Sequence, residues 1–168
     1  MRTRNPIWNF IPNRTILVLA TLGPLGQLKA PGTWGSLAGI LLYTVLFPYL
    51  APLPYFILCL VLVLVAVPLC EEAEIRLGKR DPGCVILDEF VAIPICFFAL
   101  ATIPGPHTWA WILGGFLLFR FFDIVKPSII GRLQSLRGGW GVVMDDVAAA
   151  IATNIILQIL VLILYHQA

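Results

Sequence analysis

The sequence predicts an all-α fold: a multi-helix bundle, polytopic in a membrane, with about five apolar segments and its charged groups gathered on one face. Three observations carry this expectation. Of 168 residues, 60% are hydrophobic and 12% charged, about half the charged share with which a soluble domain covers its surface. The charges fall in three blocks, leaving residues 30–70, 90–119 and 147–168 without a single Asp, Glu, Lys or Arg. A bilayer-spanning helix takes roughly 20 apolar residues, and prolines divide the longer runs where a helix would have to break. A compact soluble bundle with unusually apolar helices is the alternative architecture.

Taken in order, Arg2, Arg4 and Arg14 precede a short apolar stretch, Ile16 to Leu22, which is followed by Gly-Pro-Leu-Gly rather than a small-x-small cleavage site. No cleaved signal peptide is expected. Pro48, Pro52 and Pro54 split the first uncharged run into helices near 37–50 and 55–70. The triplet Pro104-Gly105-Pro106 splits the second into 90–103 and 109–124, and the third run gives 147–165. Several of these segments are only about 21–24 Å long at 1.5 Å per residue, less than a hydrocarbon core, so some are expected to be re-entrant or half-buried. Two hairpins return the chain to the side it left, which brings residues 1–36, 71–89 and 125–146 to one face. Every Lys and Arg lies on that face or at its edge, and this bias marks the cytoplasmic side. Residues 1–168 read as a single domain. A formal net charge of +2 provides no field for gripping nucleic acid. Cys59, Cys70, Cys84 and Cys96 lack metal or disulfide spacing and read as apolar filler.

Ionisable groups beside apolar helices are costly and so point to function. Asp88-Glu89 and Asp145-Asp146 each open an apolar segment, where a helix N-terminus also favours negative charge. With Asp123 on the same face, these carboxylates would repel one another unless a divalent cation neutralised them, and Mg²⁺ prefers such oxygen donors. Arg120, Asp123 and Lys126 repeat at i, i+3 and i+6 along one side of a helix that Pro127 ends. The two cations suit phosphate: Arg as a fork, Lys as a point charge. Two glycine-rich strings, Pro31-Gly32-Thr33-Trp34-Gly35-Ser36 and Gly138-Gly139-Trp140-Gly141, read as loops whose backbone N–H groups can face an anion, with Thr33 and Ser36 as phosphate contacts or helix caps.

Other chemistries fit poorly. His107 and His166 fall on the far face, against histidine phosphatases, Ser-His-Asp catalysis and zinc sites. Cys70 and Arg76 have the spacing of cysteine phosphatases, but Glu71, Glu72 and Glu74 between them would repel a phosphate. The acidic motif of the CDP-alcohol phosphotransferases, beginning Asp-Gly and ending in two spaced Asp, is absent.

In order and spacing, Pro31 to Ser36, Asp81 through Asp88-Glu89, Phe119-Arg120 through Asp123 to Lys126-Pro127, and Gly138-Gly139-Trp140-Gly141 through Asp145-Asp146 resemble the phosphatidylglycerophosphatase A family. The resemblance implies a Mg²⁺-dependent hydrolase that removes the terminal phosphate of phosphatidylglycerophosphate at the cytoplasmic face of the bacterial inner membrane. It implies that Asp88, Glu89, Asp123, Asp145 and Asp146 are catalytic. Asp88, Glu89, Asp145 and Asp146 would hold the metal; Thr33, Ser36, Arg120 and Lys126 would bind phosphate; Asp81, Gly138, Gly139 and Gly141 would support them. Ala92 and Ala150 stand where the family often has glycine. A small polytopic cation-binding or transport protein is the competing expectation.

Overall fold

The computed structural model describes residues 8, 10–100 and 108–166. Among these the chain is helical, with no strand: α1 (Asn13–Ala20), α2 (Pro31–Leu46), α3 (Pro52–Leu77), α4 (Leu87–Cys96), α5 (Thr108–Val125), α6 (Ser128–Leu133) and α7 (Gly139–His166), with short 3-10 turns at Leu25–Gln27 and Phe47–Tyr49. Three of these, α3, α5 and α7, are long and apolar enough to cross a membrane, rather than the five segments expected. The tip Pro104-Gly105-Pro106 and His107 lie outside the described residues.

The course of the chain follows from which ends meet. Gly32 of α2 lies against Glu89 of α4 and Arg120 of α5, and Lys126, just after α5, pairs with Asp145 of α7. Gly139, opening α7, lies against Val67 and Glu71 of α3. Helices α2, α4 and α7 therefore descend from one charged rim, and α3 and α5 climb back to it. Among the described residues, the contacts of Arg76, Arg80, Asp81, Glu89, Arg120, Lys126 and Asp145 gather at this rim, the side on which the two-hairpin reading placed them.

Element boundaries depart from the sequence expectation for physical reasons. α3 runs on to Leu77, past the 55–70 expected, because Glu71, Glu72 and Glu74 end the uncharged run without ending the helix; Gly78, at φ +62°, closes it, a left-handed cap that glycine adopts at little cost. The string from Pro31 to Ser36 is not a loop. Pro31 takes the first helical position after Ala30, where its missing N–H costs nothing, and Gly32, Gly35 and Gly39 form a flat stripe along α2. A Cβ on Gly35 would stand 2.8 Å from the Ile86 carbonyl, and one on Gly39 would stand 2.7 Å from the Phe90 carbonyl. The Phe90 carbonyl has no intrahelical donor, because Pro94 sits four residues later in α4. This small-residue stripe brings the two backbones together.

The core lies in two continuous layers. One, toward the rim, joins Ala66, Cys70, Val91, Val143 and Val147. The other stacks Tyr43 on Phe97, with ring centroids 4.5 Å apart, and packs Phe47 edge-on against Tyr55, an arrangement aromatic quadrupoles favour. Ala92 and Ala150 are fully buried here, so the methyl groups that depart from the family's glycines are accommodated in the packing.

Gly35→Val should force α2 off the α4 backbone and lower stability by about 1–3 kcal/mol. A thermal-unfolding midpoint in detergent equal to that of the parent protein would show that the stripe does not seat the helix.

Candidate metal and phosphate site

The first turn of α4 carries Asp88 and Glu89. Asp146 lies seven residues into α7, about 10 Å down from its start. The parallel packing of these helices brings one oxygen of each of the three carboxyls within 4.8 Å of one another. Asp88 and Asp146 are buried. Asp88 Oδ1 and Glu89 Oε2 have no hydrogen-bond partner, and orphaned buried oxygens are expensive enough to require an explanation. A donor set made only of carboxylate oxygens fits a hard divalent cation, which these two oxygens are free to ligate.

Of the expected metal set, Asp145 is turned elsewhere. Consecutive helical residues point about 100° apart, so while Asp146 meets α4, Asp145 Oδ2 accepts a hydrogen bond from Lys126 Nζ at 2.6 Å. Its Oδ1 is buried without a partner. Asp123 pairs with Arg120 Nη1 at 2.6 Å. Lys126 does not continue the α5 face: it has φ +44°, a left-handed turn ahead of Pro127 that sends its side chain to α7.

Arg120 stands at the junction of the two groups. Its Nη1 lies 4.0 Å from Glu89 Oε1 and donates to Ser36 Oγ at 3.5 Å. Ser36 is fully buried and donates in turn to the Gly32 carbonyl at 2.8 Å. Thr33 is half-buried one turn earlier in α2. Gly32, which sequence reasoning treated only as part of a loop, is where α2 touches the acids: a Cβ there would collide with Glu89 Oε1 and stand 3.0 Å from Arg120 Nη1.

The second glycine string also differs from expectation. Gly138, at φ +69°, makes the turn, while Gly139 and Gly141 are already in α7. A Cβ on Gly139 would run into the Val67 carbonyl, and one on Gly141 would stand 2.5 Å from the Leu136 carbonyl. These glycines allow α7 to enter the bundle and so to place Asp146. Asp81 lies on the rim, its N–H donating to Glu74 Oε1 at 2.7 Å and its Oδ2 accepting from Gln134 Nε2 at 2.8 Å. With Arg80, Gly131, Gln134 and Ser135 it lines a polar cleft of about 510 Å³. Arg76 is committed to Glu72 and to the carbonyls of Trp8 and Ile11, and thus does not form a phosphate loop with Cys70.

The electrostatics follow from burial. Desolvation, then the charges of Glu89 and Asp146, push the Asp88 carboxyl well above the usual carboxylate range. Burial also raises Glu89, with a hydrogen bond from Asp88 offsetting part of the rise and the Asp123 charge adding to it. Burial disfavours the ammonium form of Lys126, but the hydrogen bond and charge of Asp145 outweigh it and hold the lysine above its ordinary value. Lys126→Met would strand the buried Asp145 charge and should cost about 3–5 kcal/mol. The double variant Lys126→Met/Asp145→Asn should recover part of that loss in chemical denaturation; no recovery would mean the pair does not act as a unit.

The sequence model of the phosphatidylglycerophosphatase A family matches residues 18–161. The chain is 42% identical to the phosphatidylglycerophosphatase A of Haemophilus influenzae over 76% of each chain. It is 33% identical to that of Escherichia coli over 72% of this chain and 68% of the other. A Bacteroides thetaiotaomicron protein whose name proposes a phosphatidylinositol-3-phosphatase is 31% identical over 77% of this chain and 82% of its own. No solved structure matches.

Proposed function

The chain belongs to the phosphatidylglycerophosphatase A family, and from that premise we propose that it hydrolyses phosphatidylglycerophosphate to phosphatidylglycerol and inorganic phosphate. The observation that carries this reading is the meeting of Asp88, Glu89 and Asp146, with two orphaned oxygens among them, beside Arg120. Mg²⁺ is the cation that the donor chemistry and the family favour, held by Asp88, Glu89 and Asp146. Bound there, it supplies positive charge to phosphate oxygens that gain negative charge during transfer.

The remaining work belongs to the side chains. Arg120 presents donors at the edge of the acidic group, where a phosphoryl group can receive them. Ser36 and the Asp123 carboxylate fix the guanidinium in that position. Lys126, held by Asp145, offers a second positive charge, and Thr33 a hydroxyl at the start of α2. Hydrolysis adds water across the phosphorus–oxygen bond of the monoester and leaves the glycerol hydroxyl on the lipid. Because the acids lie about 10 Å below the start of α7, the headgroup reaches them from the lipid side without leaving the membrane. The lysines and arginines of the rim support a cytoplasmic placement in a bacterial inner membrane, with residues 1–168 acting as one domain.

Detergent-purified protein should release phosphate from phosphatidylglycerophosphate with Mg²⁺ and stop in EDTA. Asp88→Asn and Asp146→Asn should each slow release by about 10²–10³-fold. Turnover in EDTA, or normal rates in both variants, would remove the proposed site. Preference for phosphatidylinositol 3-phosphate over phosphatidylglycerophosphate would change the substrate and leave the site intact.

A pH dependence follows from the raised Asp88 and Glu89 carboxyls. Protons retained above the ordinary carboxylate range compete with the cation, so they are displaced more easily as pH rises. The Mg²⁺ concentration for half-maximal activity should therefore keep falling as pH rises above the range in which unperturbed carboxylates ionise. A flat profile would contradict the shifts.

A further inference from the structure

α4 is ten residues long and stops at Cys96. Its end lies level with Asn154, 15 residues into α7, or about 22 Å from that helix's start and inside its apolar span. A helix end leaves carbonyls without donors, and in an apolar layer no water replaces them. Side chains from neighbouring helices act there instead. Tyr55 OH donates to the Pro94 carbonyl at 2.6 Å, which also accepts from the Phe97 N–H at 3.1 Å. Asn154 Nδ2 donates to the carbonyls of Cys96 and Phe98 at 3.0 and 2.8 Å. Gln158 Nε2 donates to the Phe98 carbonyl at 3.1 Å. Asn154 and Gln158 are amides in a run otherwise made almost wholly of apolar residues, and α7, which carries them, also carries Asp146.

We propose that Asn154, assisted by Gln158 and Tyr55, is a positioning residue for the metal-binding carboxylates. By gripping the lower end of α4 from α7, it fixes the depth of α4 and so the placement of Asp88 and Glu89 against Asp146. The lever is short: about two turns of helix separate Glu89 from Cys96, and a register slip of one residue would carry both carboxylates 1.5 Å along the axis and turn them away from α7. The inference rests on the reading of these acids as a cation site.

Mn²⁺, a paramagnetic probe for an oxygen-donor site, tests it by electron paramagnetic resonance titration in detergent, alongside the Mg²⁺ dependence of phosphate release. Asn154→Leu should weaken Mn²⁺ binding about tenfold, the lower end of what outer supports of metal sites contribute. It should raise the half-saturating Mg²⁺ concentration similarly while leaving most of the rate at saturating Mg²⁺. Gln158→Leu removes one bond rather than two and should show the same effect more weakly; it keeps the test decisive if Asn154→Leu does not fold. Leu157→Ala, a fully buried apolar truncation in α7, is the control. Normal Mn²⁺ affinity in both polar variants, or equal weakening in Leu157→Ala, overturns the positioning role while leaving the cation site standing. Absence of Mn²⁺ binding and of Mg²⁺ dependence in the parent protein overturns both.

Discussion

Carboxylates buried in an apolar bundle are the constraint around which this structure is arranged. Asp88, Asp123, Asp145 and Asp146 are all buried, with Glu89 close behind, and ionised groups survive such surroundings only with partners. Arg120 and Lys126 answer two of them at 2.6 Å. The five acids against these two cations carry a formal surplus of three negative charges, concentrated where Asp88, Glu89 and Asp146 meet. That formal surplus is what the cation proposed above would neutralise. It also accounts for the rim: a surplus of this size is tolerable only near water and close to helix N-termini, where α4 places its pair.

The supporting structure is organised to keep the acids close. The glycine stripe lets α2 lie flat on α4 and bring Gly32 to Glu89. Gly139 lets α7 enter hard against α3. Lys126 adopts a left-handed conformation, costly for a non-glycine residue by roughly 1 kcal/mol, and its ion pair with Asp145 is the compensating gain. Each feature gives up local freedom to seat α4 or α7, the helices that carry these acids, against a neighbour. A site of several like charges needs this rigidity, because mutual repulsion would otherwise spread the helices.

Much of this was legible in the sequence, and the exceptions have definite causes. Charge blocks show which ends share a rim, since burying a charge costs the same wherever it falls in the chain; hence the meeting of Asp88, Glu89 and Asp146 could be anticipated. Helix limits could not, because an uncharged run measures depth in an apolar medium while hydrogen bonding continues past Glu71 in α3. Glycine was ambiguous for a related reason: the same residue permits a turn, as at Gly138, and a close helix contact, as at Gly32 and Gly35. The separation of Asp145 from Asp146 is simple helical geometry, missed when adjacent acids are treated as one unit. Asn154 and Gln158 were visible as polar residues in an apolar run, but their purpose depends on where α4 ends.

The pairing of both cations with acids bears on how the site receives a phosphate. Arg120 and Lys126 are already engaged, with Asp123 and Asp145, so an incoming phosphoryl group competes with carboxylates for the same donors. That competition is unfavourable for a weakly charged ester and less so for a monoester dianion, which could accept from Arg120 while its remaining oxygens faced the three converging acids and the cation proposed for them. A phosphodiester offers one charge and fewer free oxygens, and would gain too little to displace Asp123. On the proposed reading, the engaged state of the cations would favour the terminal monoester of phosphatidylglycerophosphate over the diester that joins the lipid to its headgroup.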